Sequence, residues 1–271
     1  MLMYAVLLVC GGLAGVTTVL FGFGGGFVVV PLLYTMLTMT HDAGSPVAQA
    51  ATQIAVATSS CVMIFGASMA TVRHHRAGNV DWPQARAMGG YIACGAIVGA
   101  AAASWLSGDW VRWAFVAYLA VTIVDSALRP GFMHARPPAA QPMTAASTAA
   151  VGLGIGTIAA FLGVGGSVMT VPLMRRRGAT MTQATAMANP LSLPMALAAT
   201  ATYVALAWRH GATLGPGHAG FVDLLAFAVL AAGSWAGIRL AARWIGRIPD
   251  RIHAVTYVAL LAVVLLVMVV V

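Results

Sequence analysis

The chain contains no lysine and no glutamate: all 14 basic residues are arginine and all 6 acids are aspartate. Charged residues make up 7% of its 271 positions, against about 25% in soluble globular domains. So little charge cannot solvate a surface of this size, which excludes an ordinary water-soluble protein. With 61% hydrophobic residues and a mean hydropathy of +0.91, most of the outer surface is expected to face lipid. The three cysteines, Cys10, Cys61 and Cys94, lie in apolar stretches without metal-type spacing and read as small buried hydrophobes. The formal net charge of +8 is not a nucleic-acid footprint, because the arginines sit in short gaps between apolar runs rather than on one solvated face. Met1–Phe21 lacks a basic leader and a clear small-residue cleavage site, so it reads as a retained segment.

A helix needs about 20 apolar residues to cross the hydrocarbon core. Ten hydrophobic segments are expected: Leu2–Phe21, Gly25–Met39, Val47–Val72, Ala85–Leu106, Trp110–Ala127, Ala145–Leu162, Gly166–Met174, Thr182–Trp208, Ala219–Leu240 and Ala254–Val271. They do not alternate, which argues against a β-barrel. The second and seventh are short, follow glycine clusters and contain Pro31 and Pro172. Glycine and proline break helices, so these segments read as the second arms of broken or re-entrant hairpins. Each hairpin returns to its starting side. Twelve of the 14 basic residues then share the side opposite the N-terminus, leaving only Arg112 and Arg209 on the other. The positive-inside rule makes the arginine-rich side cytoplasmic and puts both termini outside a multi-pass cytoplasmic membrane protein.

The chain repeats itself. Gly22–Leu33 reads GFGGGFVVVPLL and Gly163–Met174 reads GVGGSVMTVPLM, with Gly22, Gly24, Gly25, Val30, Pro31 and Leu32 recurring as Gly163, Gly165, Gly166, Val171, Pro172 and Leu173. A segment rich in small and polar residues follows each, AATQIAVATSS in the first and QATAMANPLS in the second. Residues 1–128 form the first repeat, 129–144 a cytoplasmic linker and 145–271 the second repeat. Five segments per half is an odd number, so the second half enters from the opposite side. The expected fold is an all-α polytopic membrane protein built as an inverted repeat, each half opening with a glycine-rich hairpin. Short Gly/Pro-interrupted segments in matching places of two halves point to a transporter's binding site.

A broken helix exposes unpaired N–H groups at its positive dipole end, and glycine lets a ligand reach them. That chemistry suits an anion with several oxygens. Gly24, Gly25 and Gly26 from one hairpin, and Gly165, Gly166 and Ser167 from the other, are the candidate backbone donors. Thr58, Ser59 and Asn189, inside apolar runs, are candidates to line the same cavity. Gly22, Pro31, Gly163, Pro172 and Pro190 would shape the hairpins and a broken backbone at Asn189-Pro190. Asp125 is the only acid well inside an apolar run. It is a functional candidate, and a local pair with Arg129 or snorkelling accounts for it equally well. His74 and His75, in the loop Arg73–Arg76, read as interfacial residues without a third metal ligand. The 15 methionines are scattered and read as packing or lipid-facing residues. No catalytic residue, cofactor or metal site is expected.

With these residues in view, the chain resembles the sulfite exporter TauE/SafE family of membrane permeases. GFGGGFVVVPLL, AVATSS (Ala55–Ser60) and RHHRAGNVDW (Arg73–Trp82) carry the resemblance in the first half, GVGGSVMTVPLM and QATAMAN in the second. The resemblance spans nearly the whole chain. It implies export of small sulfur-containing anions, sulfite or organosulfonates, across the cytoplasmic membrane, with coupling to a proton or other ion. Ser167 in place of a third glycine, and Asn189-Pro190 beyond the place of a Thr-Ser pair, are departures that bear on substrate choice. The partners expected are thus a small anion, the bilayer and a coupling ion, with a homodimer as an option. A cation or metal permease is the alternative and would need intramembrane carboxylates or a His/Cys/Met pathway. A membrane-embedded enzyme, the remaining class, would need clustered nucleophiles, acids or metal ligands.

Overall fold

The computed structural model describes residues 2–42, 44–106, 108–128, 132–133, 143–209 and 214–270. Most of the expected linker falls outside them. Each of the ten hydrophobic segments is a helix. The first half comprises α1 (Leu2–Phe21), α2 (Gly26–Thr40), the four-residue α3 (Pro46–Gln49), α4 (Ala51–Arg76), α5 (Trp82–Trp105) and α6 (Gly108–Leu128). The second comprises α7 (Ala145–Leu162), α8 (Ser167–Arg176), α9 (Met181–Arg209), α10 (Leu224–Ala241) and α11 (Asp250–Val270). Ahead of α10, β1 (His218–Ala219) and β2 (Val222–Asp223) pair antiparallel. They occupy the start of the segment expected to be helical from Ala219. Eight helices are long and apolar enough to cross a membrane. At about 1.5 Å per residue, the ten residues of α8 are too few to span a core about 30 Å thick.

Local chemistry sets the ends. Asp81 caps α5 by accepting from the Gln84 amide at 3.2 Å, and Asp223 caps α10 by accepting from Leu225 and Ala226 at 3.0 and 2.9 Å. Thr144 caps α7 through the Ser147 amide. Caps replace the partners that the first amides of a helix lack. α1 and α7 stop at Gly22 and Gly163, whose φ angles of 75° and 67° favour glycine. The prolines break nothing: α2 continues through Pro31, α8 through Pro172, and α9 through both Pro190 and Pro194. This corrects the expectation of a broken backbone at Asn189-Pro190. A proline removes one hydrogen bond, and neighbouring helices let a bundle tolerate that loss.

Packing follows the duplication. α5 lies along α7 and α1 along α10; α4 crosses α9; α2 packs on α4 and α8 on α9; α6 lies against α11. Exchanging each helix for its counterpart in the other half returns the same list. α4 is the central element, with 72% of its apolar window buried, against 28% for the peripheral α6 and α11. Trp105, Trp110 and Trp208 stand exposed near helix ends, where an aromatic belt meets the membrane interface.

Glycines make the two long pairings. Gly11-x-x-x-Gly15 on α1 meets Gly233-x-x-x-Gly237 on α10, and Gly95-x-x-x-Gly99 on α5 meets Gly152-x-x-x-Gly156 on α7. Gly11 and Gly152 stand equally far ahead of Gly22 and Gly163, so this spacing belongs to the repeat. A Cβ on Gly156 would lie 2.0 Å from the Ile92 carbonyl oxygen, and one on Gly237 equally close to that of Gly12. Small residues at such crossings let backbones touch, which is how helices associate where lipid removes the hydrophobic drive. Gly156→Leu should therefore destabilise the detergent-solubilised protein by roughly 1–3 kcal/mol. Gly154→Leu, where a Cβ meets nothing within 4 Å, should stay within about 0.5 kcal/mol of the parent. Equal unfolding midpoints for the two variants would overturn this account of the pairing.

Candidate functional site

The two glycine clusters meet inside the protein. A Cβ on Gly165 would lie 2.9 Å from the Phe23 carbonyl oxygen and 3.5 Å from the Gly24 Cα. One on Gly26 would lie 2.5 Å from the Gly163 carbonyl oxygen and 2.9 Å from Ser59 Oγ. The hairpin tips are thus stacked backbone on backbone, which only residues without side chains permit. Both tips open into helix N-termini, α2 at Gly26 and α8 at Ser167. Gly25 and Gly166 have no side chain to cap those ends. The amides of Val28 and Val29 turn back to Gly25, and those of Met169 and Thr170 to Gly166. The amides ahead of them, in the first turns, have no intrahelical acceptor, and the helix dipoles add positive potential there.

α4 and α9 hold the tips from two sides. Ser59 donates to the Gly163 carbonyl at 3.3 Å, and Met63 covers Gly24. Gly163 rests on Val56 and Gly22 on Thr185 and Ala188. Next to Ala188, the fully buried Asn189 donates to the Thr185 carbonyl at 3.2 Å. Its Oδ1 is buried with no partner, as is the hydroxyl of Ser167. These two orphaned polar atoms come from the sequence-predicted set. Orphaned buried polar atoms in a native fold call for an explanation, a displaced ligand or water among them.

Other expected residues sit elsewhere. Thr58 is buried, but its hydroxyl accepts from the Asp223 amide at 3.0 Å, tying α4 to the start of α10 rather than to the tips. Gly25, at φ 86°, faces Ala14, Thr18 and Val62 on the far side of its own hairpin, and Gly166 faces Ile155. Asp125 pairs with Arg176 of α8, a partner outside its own helix. His74 and His75 belong to the last turn of α4, not to a loop. His75 accepts from Trp82 Nε1 at 3.0 Å, while His74 is buried at 1% exposure.

The two ends of the bundle differ. A small apolar cavity opens beside α2 and α4, lined by Val30, Pro31, Thr52, Val56 and Phe115, with Arg112 at its edge. Arg112 also holds the last turn of α11 through the carbonyls of Met268 and Val269. The arginine-rich end holds Tyr257 of α11. It packs on Phe132, with ring centroids 5.7 Å apart, and Phe132 is 3% exposed. Arg175 Nε donates to the Phe132 carbonyl at 2.9 Å. The same guanidinium pairs with Asp250 at 2.9 Å, its side chain wholly buried. Nothing in the run Arg175-Arg176-Arg177 marks its first member as buried, and the sequence reading counted all three at the water-facing end. Phe132 lies in the linker, where no motif points to it. Among the described residues, no group of three or more His, Cys, Asp or Glu side chains is placed to hold a metal.

Comparison with known proteins gives the same picture. Over 256 residues, 91% of this chain and 92% of its relative, the sequence is 27% identical to a protein of Haemophilus influenzae described as a probable membrane transporter protein. Residues 7–269 match the family model described as Sulfite exporter TauE/SafE. Glycine-tipped hairpins in both halves of a bundle with eight membrane-length helices therefore go with a match over almost the whole sequence, and the chain belongs to the sulfite exporter TauE/SafE family.

Proposed function

We propose that this membrane transporter moves a small sulfur-containing anion, of the sulfite or organosulfonate type, out across the cytoplasmic membrane by alternating access coupled to an ion gradient. The observation that carries this reading is the meeting of the two hairpin tips, Phe23–Gly26 against Gly163–Gly165. Two uncapped helix N-termini converge there on a buried point flanked by Ser59, Ser167 and Asn189. Neutral N–H and O–H donors bind an oxyanion without a fixed counter-charge, which leaves binding weak enough for release. The helix pairings that survive exchange of the halves favour two related units, 1–128 and 145–271, joined by the linker. The odd segment count and the arginine distribution favour units inverted across the membrane, with both termini outside.

Reconstituted protein should carry sulfite or a simple alkylsulfonate between vesicle compartments, and flux should respond to an imposed proton gradient. Gly26→Val and Gly165→Val should cut that flux by about a hundredfold, because misplacing binding groups by an ångström has that scale of effect. Gly44→Val, where nothing lies within 4 Å, should not. Parental flux in the Gly26 and Gly165 variants would remove the hairpin tips from the mechanism. For the orientation, alkaline phosphatase fused after Val271 should be active, and a reporter that matures only in the cytoplasm should be silent. The reverse pattern would invert the topology.

A further inference from the structure

Val19 and Leu20 belong to the last turn of α1. A helix ending at Phe21 leaves its final carbonyls without helical donors. The amides of Gly22 and Phe23 turn back to Thr18 and Thr17, so Val19 and Leu20 are not served by them. Two imidazoles serve them instead. His74 Nε2, from α4, lies 2.8 Å from the Val19 oxygen, and His253 Nε2, from α11, lies 2.7 Å from the Leu20 oxygen. A carbonyl only accepts, so each Nε2 carries the hydrogen and each Nδ1 presents a lone pair. The residues are 1% and 4% exposed, and both Nδ1 atoms are buried without a partner.

We propose that His74 and His253 form a shared proton-binding site, holding one proton on an Nδ1, and that this is the coupling-ion site of the transporter. The proposal rests on the transport reading above for its coupling role, and on geometry alone for the site. The end of α1 is suited to a cation, since the carbonyl end of a helix carries partial negative charge. The charges that reach His253 are Asp250 on α11 and Arg175 on α8, and these two are ion-paired. His74 feels His253 itself. On its own helix it is flanked by Arg73, Arg76 and His75, the last held by Trp82. The α10 end supplies Arg239 and Arg243, each over a tryptophan ring. The two carbonyls belong to consecutive residues of α1, so a charge on one histidine opposes a charge on the other and the site takes one proton rather than two. The site also spans the moving parts. α1 and α4 belong to the first half and α11 to the second, and Leu20 stands two residues before Gly22, where the first hairpin turns. Rocking of one half against the other changes what His253 touches, which couples its protonation to the alternation.

Glutamine keeps an N–H donor for each carbonyl but binds no proton, so His74→Gln/His253→Gln separates helix capping from proton binding. Between about pH 8 and pH 5, the purified wild-type protein should take up about one proton more than the double variant. A difference of zero would make the histidines permanently neutral caps, and a difference of two would make them independent; either overturns the proposal. Nitrogen-15 histidine spectra of the wild-type protein read the same count without substitution. In vesicles, the double variant should still exchange sulfite at equal concentrations but should no longer accumulate it under a proton gradient. Wild-type accumulation by the variant would remove the pair from coupling. If the wild-type protein moves no sulfur oxyanion, the transport reading fails, while the proton count still decides the site.

Discussion

Contact between backbones without intervening Cβ atoms is the interaction on which this protein depends. Lipid offers helices no hydrophobic reason to associate, so packing and polar satisfaction must come from close approach. The chain uses glycine for this at two scales. Along α1/α10 and α5/α7 it brings whole helices together, down to 2.0 Å from a would-be Cβ to a carbonyl oxygen. At the hairpin tips it brings two chain reversals together at one buried point. The first use fixes the frame and the second brings two helix N-termini to one buried point. In both places an added side chain would meet backbone rather than a movable side chain.

Much of this was legible beforehand, and the reasons differ by element. Each of the ten hydrophobic segments contains one of the ten longer described helices, because length and apolarity decide whether backbone can cross or enter a bilayer. The glycine clusters were legible because a reversal inside an apolar run has few other residues to use. The four Gly-x-x-x-Gly pairs are less legible, because single glycines one helical turn apart in an apolar run stand out less than a dense cluster and show their role only when the partner helix is in place. Prolines misled for the opposite reason. Pro190 looks like a break in isolation, yet a packed bundle absorbs one missing hydrogen bond and α9 runs through it.

Side-chain direction was the least legible property. Thr58 and Ser59 look equivalent in sequence, but consecutive residues of an α-helix point about 100° apart. Both cannot face one cavity. Ser59 reaches the Gly163 carbonyl, and Thr58 reaches Asp223. Which of the two wins depends on how α4 is rotated, and tertiary packing sets that. The same holds for Arg175 and His74, which are buried while the residues that follow them, Arg176 and His75, are exposed. Basic residues at a helix end read as water-facing by default. Only the arrival of Phe132 and Asp250, or of the α1 carbonyls, turns a terminal residue inward.

The difference between the two ends of the bundle follows from what breaks the internal symmetry. The helices pair identically after exchange of the halves, but the side chains at equivalent positions do not match. Phe115 in α6 borders an apolar cavity. Tyr257 in α11 packs on Phe132 and donates to the Ser167 carbonyl at 3.3 Å. Phe132 comes from the linker, the part of the chain that has no equivalent in the other half. Two related units alone would make two equivalent ends. Here the inequality is local: one aromatic residue from the linker and one buried arginine holding its carbonyl.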